Sequence, residues 1–193
     1  MLSIVNPLTS LLHFFNLKES INYLTYYVYG KTRSYVQPYI STQFSVDQII
    51  NNVYIGDFAS ACNKQELLKL GITHIVTVIV GVDAMYPESF KYLTVSVCDQ
   101  QQADIYKYFD DCSDFIHEAI TNGGMVYVHC MCGISRSATI IAAYLINKHQ
   151  YNDVAAIEKI RECRQCINPN EGFKQQLALY YEYIKKKHNS QNL

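Results

Sequence analysis

The sequence predicts an α/β fold, a single domain with a central, twisted, mainly parallel sheet and helices on both faces. Two continuous apolar runs, residues 72–80 and 125–128, are typical of strands buried inside such a sheet. Segments with helical periodicity, residues 105–121 and 137–148, follow or separate these runs, which indicates alternating strands and helices. A chain of 193 residues is long enough for one such domain with its own core.

Residues 1–43 are predicted to form an N-terminal extension, and residues 44–193 the domain itself. Apolar residues between Leu11 and Tyr29 recur at helical spacing, so the extension is expected to be helical. Three roles stay open for it: an extra helix packed on the domain, a homodimer contact, or a helix on a membrane surface. Its uncharged stretch is too short to span a membrane and lacks the flanks of a signal peptide, so no membrane span is expected.

The elements of the domain follow from periodicity and from capping residues. Asn63, with Glu66 three residues later, is a predicted N-cap, and Gly71 a predicted helix end. Asn152 is a second predicted N-cap. The predicted order is strand 53–56, helix 64–70, strands 72–80 and 91–97, helix 105–121, strand 125–128, and helices 137–148, 153–164 and 173–187.

The most informative stretch is HCMCGISRSAT, residues 129–139, which lies between a predicted strand and a predicted helix. The unpaired N–H groups of a loop that enters a helix, together with the helix dipole, form a cup for an anion the size of phosphate. Gly133 allows backbone conformations that a Cβ would forbid, and the planar fork of Arg136 can hold two phosphate oxygens. Cys130 lies in the same positive field, which favours a thiolate able to attack phosphorus. A buried core cysteine is the alternative, but it leaves the other spacings unexplained.

The pattern His129-Cys130-x-x-Gly133-x-Ser135-Arg136-Ser137 resembles the signature of the cysteine-dependent protein phosphatases, most closely their dual-specificity branch. The resemblance extends over about residues 45–187. It implies that Cys130 is the nucleophile, Arg136 the phosphate clamp, Ser137 the hydroxyl that helps the sulfur leave, and His129 the residue that orients the loop and tunes the thiol. The resemblance also implies a phosphate-binding loop made of His129, Met131, Cys132, Gly133, Ile134 and Ser135.

Cleavage of a phosphate ester also requires an acid that protonates the leaving oxygen. The family supplies an aspartate on a loop that follows a strand upstream of the cysteine, and Asp99 fits that position. Asp104 is the competitor, although it is better placed to cap the helix that begins near Ile105. The family's asparagine after proline, here Asn170, is implied to support the catalytic loop by hydrogen bonding, and it is also a candidate cap for the last helix.

Charge and cysteine content restrict partners and compartment. The net charge of −1 gives no basic surface of the kind that binds nucleic acid, so no nucleic-acid partner is expected. Seven scattered cysteines and no signal peptide indicate an intracellular, reducing compartment, the cytoplasm or the nucleus. Cys163 and Cys166 have metal-like spacing but no matching second pair, so no metal site is expected. Cys132 is either a bystander or a thiol that traps oxidised Cys130 as a disulfide.

The resemblance implies a protein phosphatase that acts on phosphotyrosine and on phosphoserine or phosphothreonine through a cysteinyl-phosphate. No cofactor is expected, because arginine and loop amides supply the positive field. Two alternatives stay open: a phosphoprotein-binding pseudophosphatase, and a phosphatase of a phosphoinositide or an RNA 5′-phosphate. The variable loop positions carry no lysine or histidine, which disfavours such multiply charged substrates.

Overall fold

The computed structural model describes residues 7–37 and 43–191, with side chains described for residues 20–37 and 43–189. A five-stranded sheet forms the centre of the domain. The elements in chain order are α1 (Pro7–Val36), β1 (Val46–Ile50), β2 (Val53–Gly56), α2 (Phe58–Ala61), α3 (Lys64–Lys69), β3 (His74–Val78), β4 (Lys91–Val95), a 3-10 turn (Tyr106–Tyr108), α4 (Phe109–Thr121), β5 (Val126–His129), α5 (Arg136–His149), α6 (Asp153–Cys163) and α7 (Glu171–Gln191).

The sheet has the order β1-β2-β5-β3-β4. Four of its strands run parallel, and β1 pairs antiparallel with β2 at one edge. All four residues of β5 are buried, and so are four of the five residues of β3. Since successive side chains point to opposite faces of a strand, both faces of the sheet are covered at its centre. The predicted α/β class with a mainly parallel sheet is therefore confirmed.

The helices α4, α6 and α7 pack around α5, the helix that follows the catalytic loop. Every residue of α5 from Arg136 to Ile146 is buried, so this helix lies at the centre of the core. Both predicted asparagine caps form: the Oδ1 of Asn63 accepts the Glu66 N–H at 3.3 Å, and that of Asn152 accepts the Ala155 N–H at 2.8 Å.

Several predicted boundaries differ from the structure. The strand predicted at residues 72–80 covers only His74–Val78, because the sheet partner β4 pairs with those five residues alone. The helix predicted from residue 105 begins as a 3-10 turn, in which the Tyr108 N–H donates to the Ile105 carbonyl oxygen at 3.1 Å. Gln176 on α7 accepts the N–H groups of Ile105 and Tyr106. The short elements β1 and α2 were not predicted at all, because neither has a long enough apolar period.

The extension contains one continuous helix, α1, which is longer than predicted and lies against the loops that follow β3 and β4. The contact is close at Gly30, where a Cβ would lie 2.0 Å from the carbonyl oxygen of Val80. Tyr23 Oη lies 3.2 Å from Ser96 Oγ, and Lys31 forms an ion pair with Asp83. Packing on the domain is thus one observed role of this helix.

The predicted boundary between extension and domain falls beside residues 38–42, which lie outside the described part of the chain, as do residues 1–6. The division at residue 43 therefore stays a prediction. Among the described residues, no helix combines the length and the apolar character needed to cross a membrane.

Candidate active site

The loop between β5 and α5 has the backbone shape that the sequence predicts. Gly133 adopts a φ of 67°, in the left-handed region that favours glycine. A Cβ at this position would lie 2.5 Å from the carbonyl oxygen of Gly56, at the end of the neighbouring strand β2. No other residue type fits here without moving the backbone, so the tight turn depends on Gly133.

Three carbonyl groups of this loop are bonded to surrounding elements. The Met131 oxygen accepts the Phe58 N–H at 3.2 Å, and the Ile134 oxygen accepts the Asn168 N–H at 2.9 Å. The Gly133 oxygen accepts the Nε–H of Arg164 at 2.9 Å. In a planar trans peptide the N–H points opposite to the C=O. Fixing these carbonyls therefore directs the following N–H groups the other way, toward the centre of the loop, where they can bind an anion.

Cys130 lies at the base of the loop with only 1% of its surface exposed. Burial alone would raise the pKa of its thiol. The Arg136 guanidinium, the Ser137 hydroxyl and the backbone N–H groups of Ser137 and Ile134 act in the opposite direction and outweigh it, so the pKa lies below its ordinary value. The thiolate is favoured, as a nucleophile requires.

Ser137 contacts the sulfur of Cys130, whereas Arg136 contacts the loop that carries Asp99. The Ser137 hydroxyl donates to the Cys130 sulfur at 3.4 Å. The buried Arg136 side chain donates through Nη1 to the carbonyl oxygen of Val97 at 3.3 Å, and its Nε lies 3.7 Å from Oδ2 of Asp99. Arg136 thereby connects the cysteine loop to the loop that carries Asp99.

Asp99 is the aspartate that the fold brings to the loop. Its Oδ1 accepts hydrogen bonds from the Ser135 hydroxyl at 2.7 Å and from Nδ2 of Asn170 at 2.9 Å. Asp104 instead accepts the Lys107 N–H at 3.3 Å, which is a local capping contact in the 3-10 turn. The geometry thus favours Asp99 over Asp104 as the acid.

Asn170 combines the two roles that were open for it. Its Oδ1 accepts the Phe173 N–H at 3.0 Å and caps α7, while its backbone N–H donates to the hydroxyl oxygen of Ser135 at 3.4 Å. Its amide also bonds Asp99, so the support reaches the acid as well as the catalytic loop.

His129 is buried between aromatic rings at the end of β5. Its ring stacks on Tyr127 at 5.5 Å and on Phe58 at 6.0 Å, and its Nε2 lies 2.9 Å from Oγ1 of Thr77 on β3. Burial lowers the pKa of His129 to about 3. The imidazole is therefore neutral at physiological pH and contributes no positive charge to the loop.

The remaining loop residues differ in exposure. Ile134 and Cys132 are exposed, whereas Ser135 is buried. Burial of its sulfur nevertheless raises the pKa of the Cys132 thiol, and the neighbouring Cys130 adds to this effect. A thiol that stays protonated attacks slowly, which weakens the disulfide-trapping role considered for Cys132.

Arg164 and Gln176 support the site, although neither role was predicted from the sequence. Arg164 looks like an ordinary basic residue near a helix end, yet only 7% of it is exposed. Gln176 lies on α7 and bonds the segment that follows Asp99. Its Oε1 accepts the N–H groups of Ile105 and Tyr106, and its Nε2 donates to the Ala103 carbonyl oxygen. Nothing in their local sequence distinguishes them, because each contact spans a large separation along the chain.

Comparison with known proteins gives matches over the region that carries this site. The family model for the dual specificity phosphatase catalytic domain matches residues 53–183. Dual specificity protein phosphatase 1B of Arabidopsis thaliana is 41% identical over 139 residues, which cover 72% of this chain and 83% of that protein. Dual specificity protein phosphatase 1 of the same plant is 41% identical over 129 residues, 67% of this chain and 65% of that protein.

A solved structure gives a comparable match. The crystal structure of human tyrosine phosphatase-like serine/threonine/tyrosine-interacting protein has a TM-score of 0.67 and 31% sequence identity to this chain. The match covers 75% of this chain and 99% of the human one. The structural similarity thus extends over nearly the whole human chain.

Proposed function

The chain belongs to the dual specificity phosphatase family, and we propose that it hydrolyses phosphotyrosine and phosphoserine or phosphothreonine in proteins through a cysteinyl-phosphate on Cys130. The observation that carries the proposal is the convergence of four side chains on one loop. Ser137 donates to the Cys130 sulfur at 3.4 Å, and Arg136 Nε lies 3.7 Å from Asp99 Oδ2. Thiolate, cation and acid are the groups that phosphoryl transfer from an oxygen to a sulfur requires.

In the first step the Cys130 thiolate attacks phosphorus, and the bond between phosphorus and the leaving oxygen breaks. Asp99 gives its proton to that oxygen, so the product leaves as a neutral hydroxyl compound. Arg136 and the loop N–H groups hold the equatorial phosphate oxygens, where negative charge is present in the transition state.

In the second step a water molecule attacks the phosphorus of the cysteinyl-phosphate. Asp99, now ionised, accepts a proton from that water, and the bond between phosphorus and sulfur breaks. The sulfur departs as a thiolate, which the Ser137 hydroxyl stabilises across the 3.4 Å contact. Inorganic phosphate then leaves the loop.

The substrate class rests on the loop and on the relatives. The variable side chains Met131, Cys132, Ile134 and Ser135 carry no positive charge, so the loop itself offers no second phosphate site. A phosphoinositide or an RNA 5′-phosphate, with further phosphates nearby, would gain from basic residues there. A single phosphorylated side chain of a protein fits this loop better.

The role of an interaction module without catalysis is the competing proposal. The human relative's name describes a phosphatase-like interacting protein. In the present chain, however, all four residues are present: Ser137 donates to the Cys130 sulfur, and Arg136 Nε lies 3.7 Å from Asp99 Oδ2. A module that only binds phosphate has no use for an acid or for a hydroxyl bonded to the sulfur, so we favour the enzyme.

The extension and the cysteines support two further parts of the proposal. Along α1 the side chains of Leu24, Val28 and Tyr35 are exposed, and we assign this surface to a homodimer contact.

All seven cysteines are free thiols, and Cys130 must stay reduced to act, which favours an intracellular, reducing compartment.

The test is a substrate panel with the wild type and Cys130→Ser, in chelator and reductant. The panel contains one peptide phosphorylated on tyrosine, the same peptide phosphorylated on threonine, and a short-chain phosphoinositide. We expect phosphate release from both peptides by the wild type only. Release from the phosphoinositide alone would refute the protein-substrate proposal, and tight peptide binding without release would favour the interaction module.

A further inference from the structure

Arg164 is buried beneath the phosphate-binding loop, although charged side chains are rarely enclosed in this way. Its Nε donates to the Gly133 carbonyl oxygen at 2.9 Å. Its Nη1 donates to Ser45 Oγ at 3.1 Å and to Asp47 Oδ2 at 2.6 Å. The guanidinium thus connects the loop to the start of β1, at the opposite edge of the sheet from β4.

The hydrogen bond to the Gly133 carbonyl oxygen differs in its donor from the bonds to the Met131 and Ile134 carbonyl oxygens. The carbonyls of Met131 and Ile134 are held by backbone N–H groups, whereas Gly133 is held by a side chain. Because the peptide is planar, a Gly133 oxygen fixed toward Arg164 directs the Ile134 N–H the opposite way. That N–H is one of the groups that stabilise the Cys130 thiolate.

Glycine makes the Gly133–Ile134 peptide easier to rotate. Rotation of this peptide changes ψ of Gly133 and φ of Ile134, and Gly133, whose φ is 67°, tolerates a wide range of ψ because it has no Cβ. The hydrogen bond from Arg164 opposes a rotation that would turn the Gly133 carbonyl toward the phosphate. An oxygen in that position would repel the anion.

We propose that Arg164 is a positioning residue for phosphoryl transfer, which fixes the Gly133–Ile134 peptide with its N–H toward the phosphate, while Asp47 and Ser45 fix Arg164. The inference rests on the proposed function and extends it. Arg164 acts by fixing the geometry of the loop and not by placing a positive charge near the phosphate. Its charge is neutralised by the Asp47 carboxylate, and the guanidinium that acts on Cys130 is that of Arg136.

The experiment compares Arg164→Met and Arg164→Lys with the matched control Arg161→Met. Arg161 lies three residues earlier on α6 and forms an ion pair with Glu158 at the surface, so its replacement removes the same charge without touching the loop. The readouts are kcat and KM for an aryl phosphate, the Kd for inorganic phosphate, and the pH profile of Cys130 alkylation by iodoacetate.

Both Arg164 variants are expected to lose about 10- to 100-fold in kcat/KM, the size of effect that small misplacements of an active site produce. Phosphate binding should weaken about tenfold, because one loop N–H no longer faces the anion. The alkylation profile should move to higher pH, which a general loss of stability would not cause. The lysine should not rescue these values, since it keeps the charge but not the fork.

Asp47→Asn provides a gentler test in case the Arg164 variants fold poorly. It weakens the anchor of Arg164 without leaving a cavity at the loop, so a smaller shift of the same three readouts is expected. Combined with Arg164→Met it should add nothing further, because both act through the same bond. Phosphate affinity and alkylation profile that match Arg161→Met in all these variants would overturn the inference.

The outcomes separate this inference from the proposed function. If the wild type hydrolyses the aryl phosphate and the Arg164 variants match the control, the inference alone fails. If the wild type releases no phosphate at all, the proposed function fails. The Kd for inorganic phosphate then still decides whether Arg164 positions the loop.

Discussion

Ser137→Ala removes the side-chain hydroxyl that donates to the Cys130 sulfur at 3.4 Å. A hydrogen bond to a charged group contributes about 1.5–3 kcal/mol. Because sulfur is a weak acceptor, we place this bond at the lower end of that range. A loss of about 1.4 kcal/mol corresponds to about one pKa unit. Since the bond stabilises the thiolate, its removal should raise the pKa of Cys130 by about that amount.

The second step should suffer more than the first in this variant, because the sulfur leaves as a thiolate only when the phosphorus–sulfur bond breaks. We expect the steady-state rate to fall about tenfold or more, with a rapid release of one equivalent of aryl alcohol before it. Stopped-flow measurement of aryl release shows this burst, and alkylation by iodoacetate as a function of pH gives the pKa.

Thr139→Val is the matched control for Ser137→Ala. It removes another buried hydroxyl of α5, whose bond goes to the Ser135 carbonyl oxygen at 2.9 Å and not to the sulfur. This control should lower stability and leave the alkylation profile in place. An unmoved profile in Ser137→Ala, or an equal shift in both variants, would refute the reasoning.

Three further predictions follow from the acid, its loop and the buried histidine. Asp99→Asn should slow hydrolysis of an alkyl phosphate by about 100- to 10,000-fold and that of an activated aryl phosphate much less, because only the former needs a proton on the leaving oxygen; equal losses would argue against an acid role. Gln176→Ala removes three bonds to the segment behind Asp99 and should reduce kcat and the melting temperature, whereas exposed Gln175→Ala should change neither. In the folded protein the pKa of His129 is about 3, which is below its value in the unfolded chain. At a pH between these two pKa values the unfolded state therefore binds more protons than the folded state. The free energy of unfolding should therefore decrease as the pH falls from about 6.5 toward 3, and urea titrations of His129→Gln should show a flatter pH dependence over that range.

The sequence predicted most where local pattern and tertiary structure agree. The apolar run before Cys130 becomes β5, buried on both faces, and Gly133 takes the left-handed turn that a loop of this kind needs. The choice between Asp99 and Asp104 also followed from local reasoning, since Asp104 makes the capping contact expected of a residue at a helix start.

Contacts between distant segments could not be predicted in this way. Arg164 meets Ser45 and Asp47 across 119 and 117 residues of sequence, so neither partner has a local pattern that reveals the other. The edge strand β1 was missed because its pairing with β2, and not its own sequence, makes it a strand. The length of α1 was also not predicted. The helix continues past Tyr29 to Val36, and in this stretch Gly30 packs closely on Val80, which is distant in the sequence.

The central claim is that phosphate passes through a covalent bond to Cys130. The most direct test mixes the protein with an aryl phosphate, quenches it in acid within the first turnover, and measures the mass of the peptide that contains Cys130. The wild type should carry one phosphoryl group on that peptide, more of it in Ser137→Ala, and none in Cys130→Ser. Hydrolysis at an undiminished rate by Cys130→Ser, or an unlabelled peptide in an actively hydrolysing Ser137→Ala, would contradict the account.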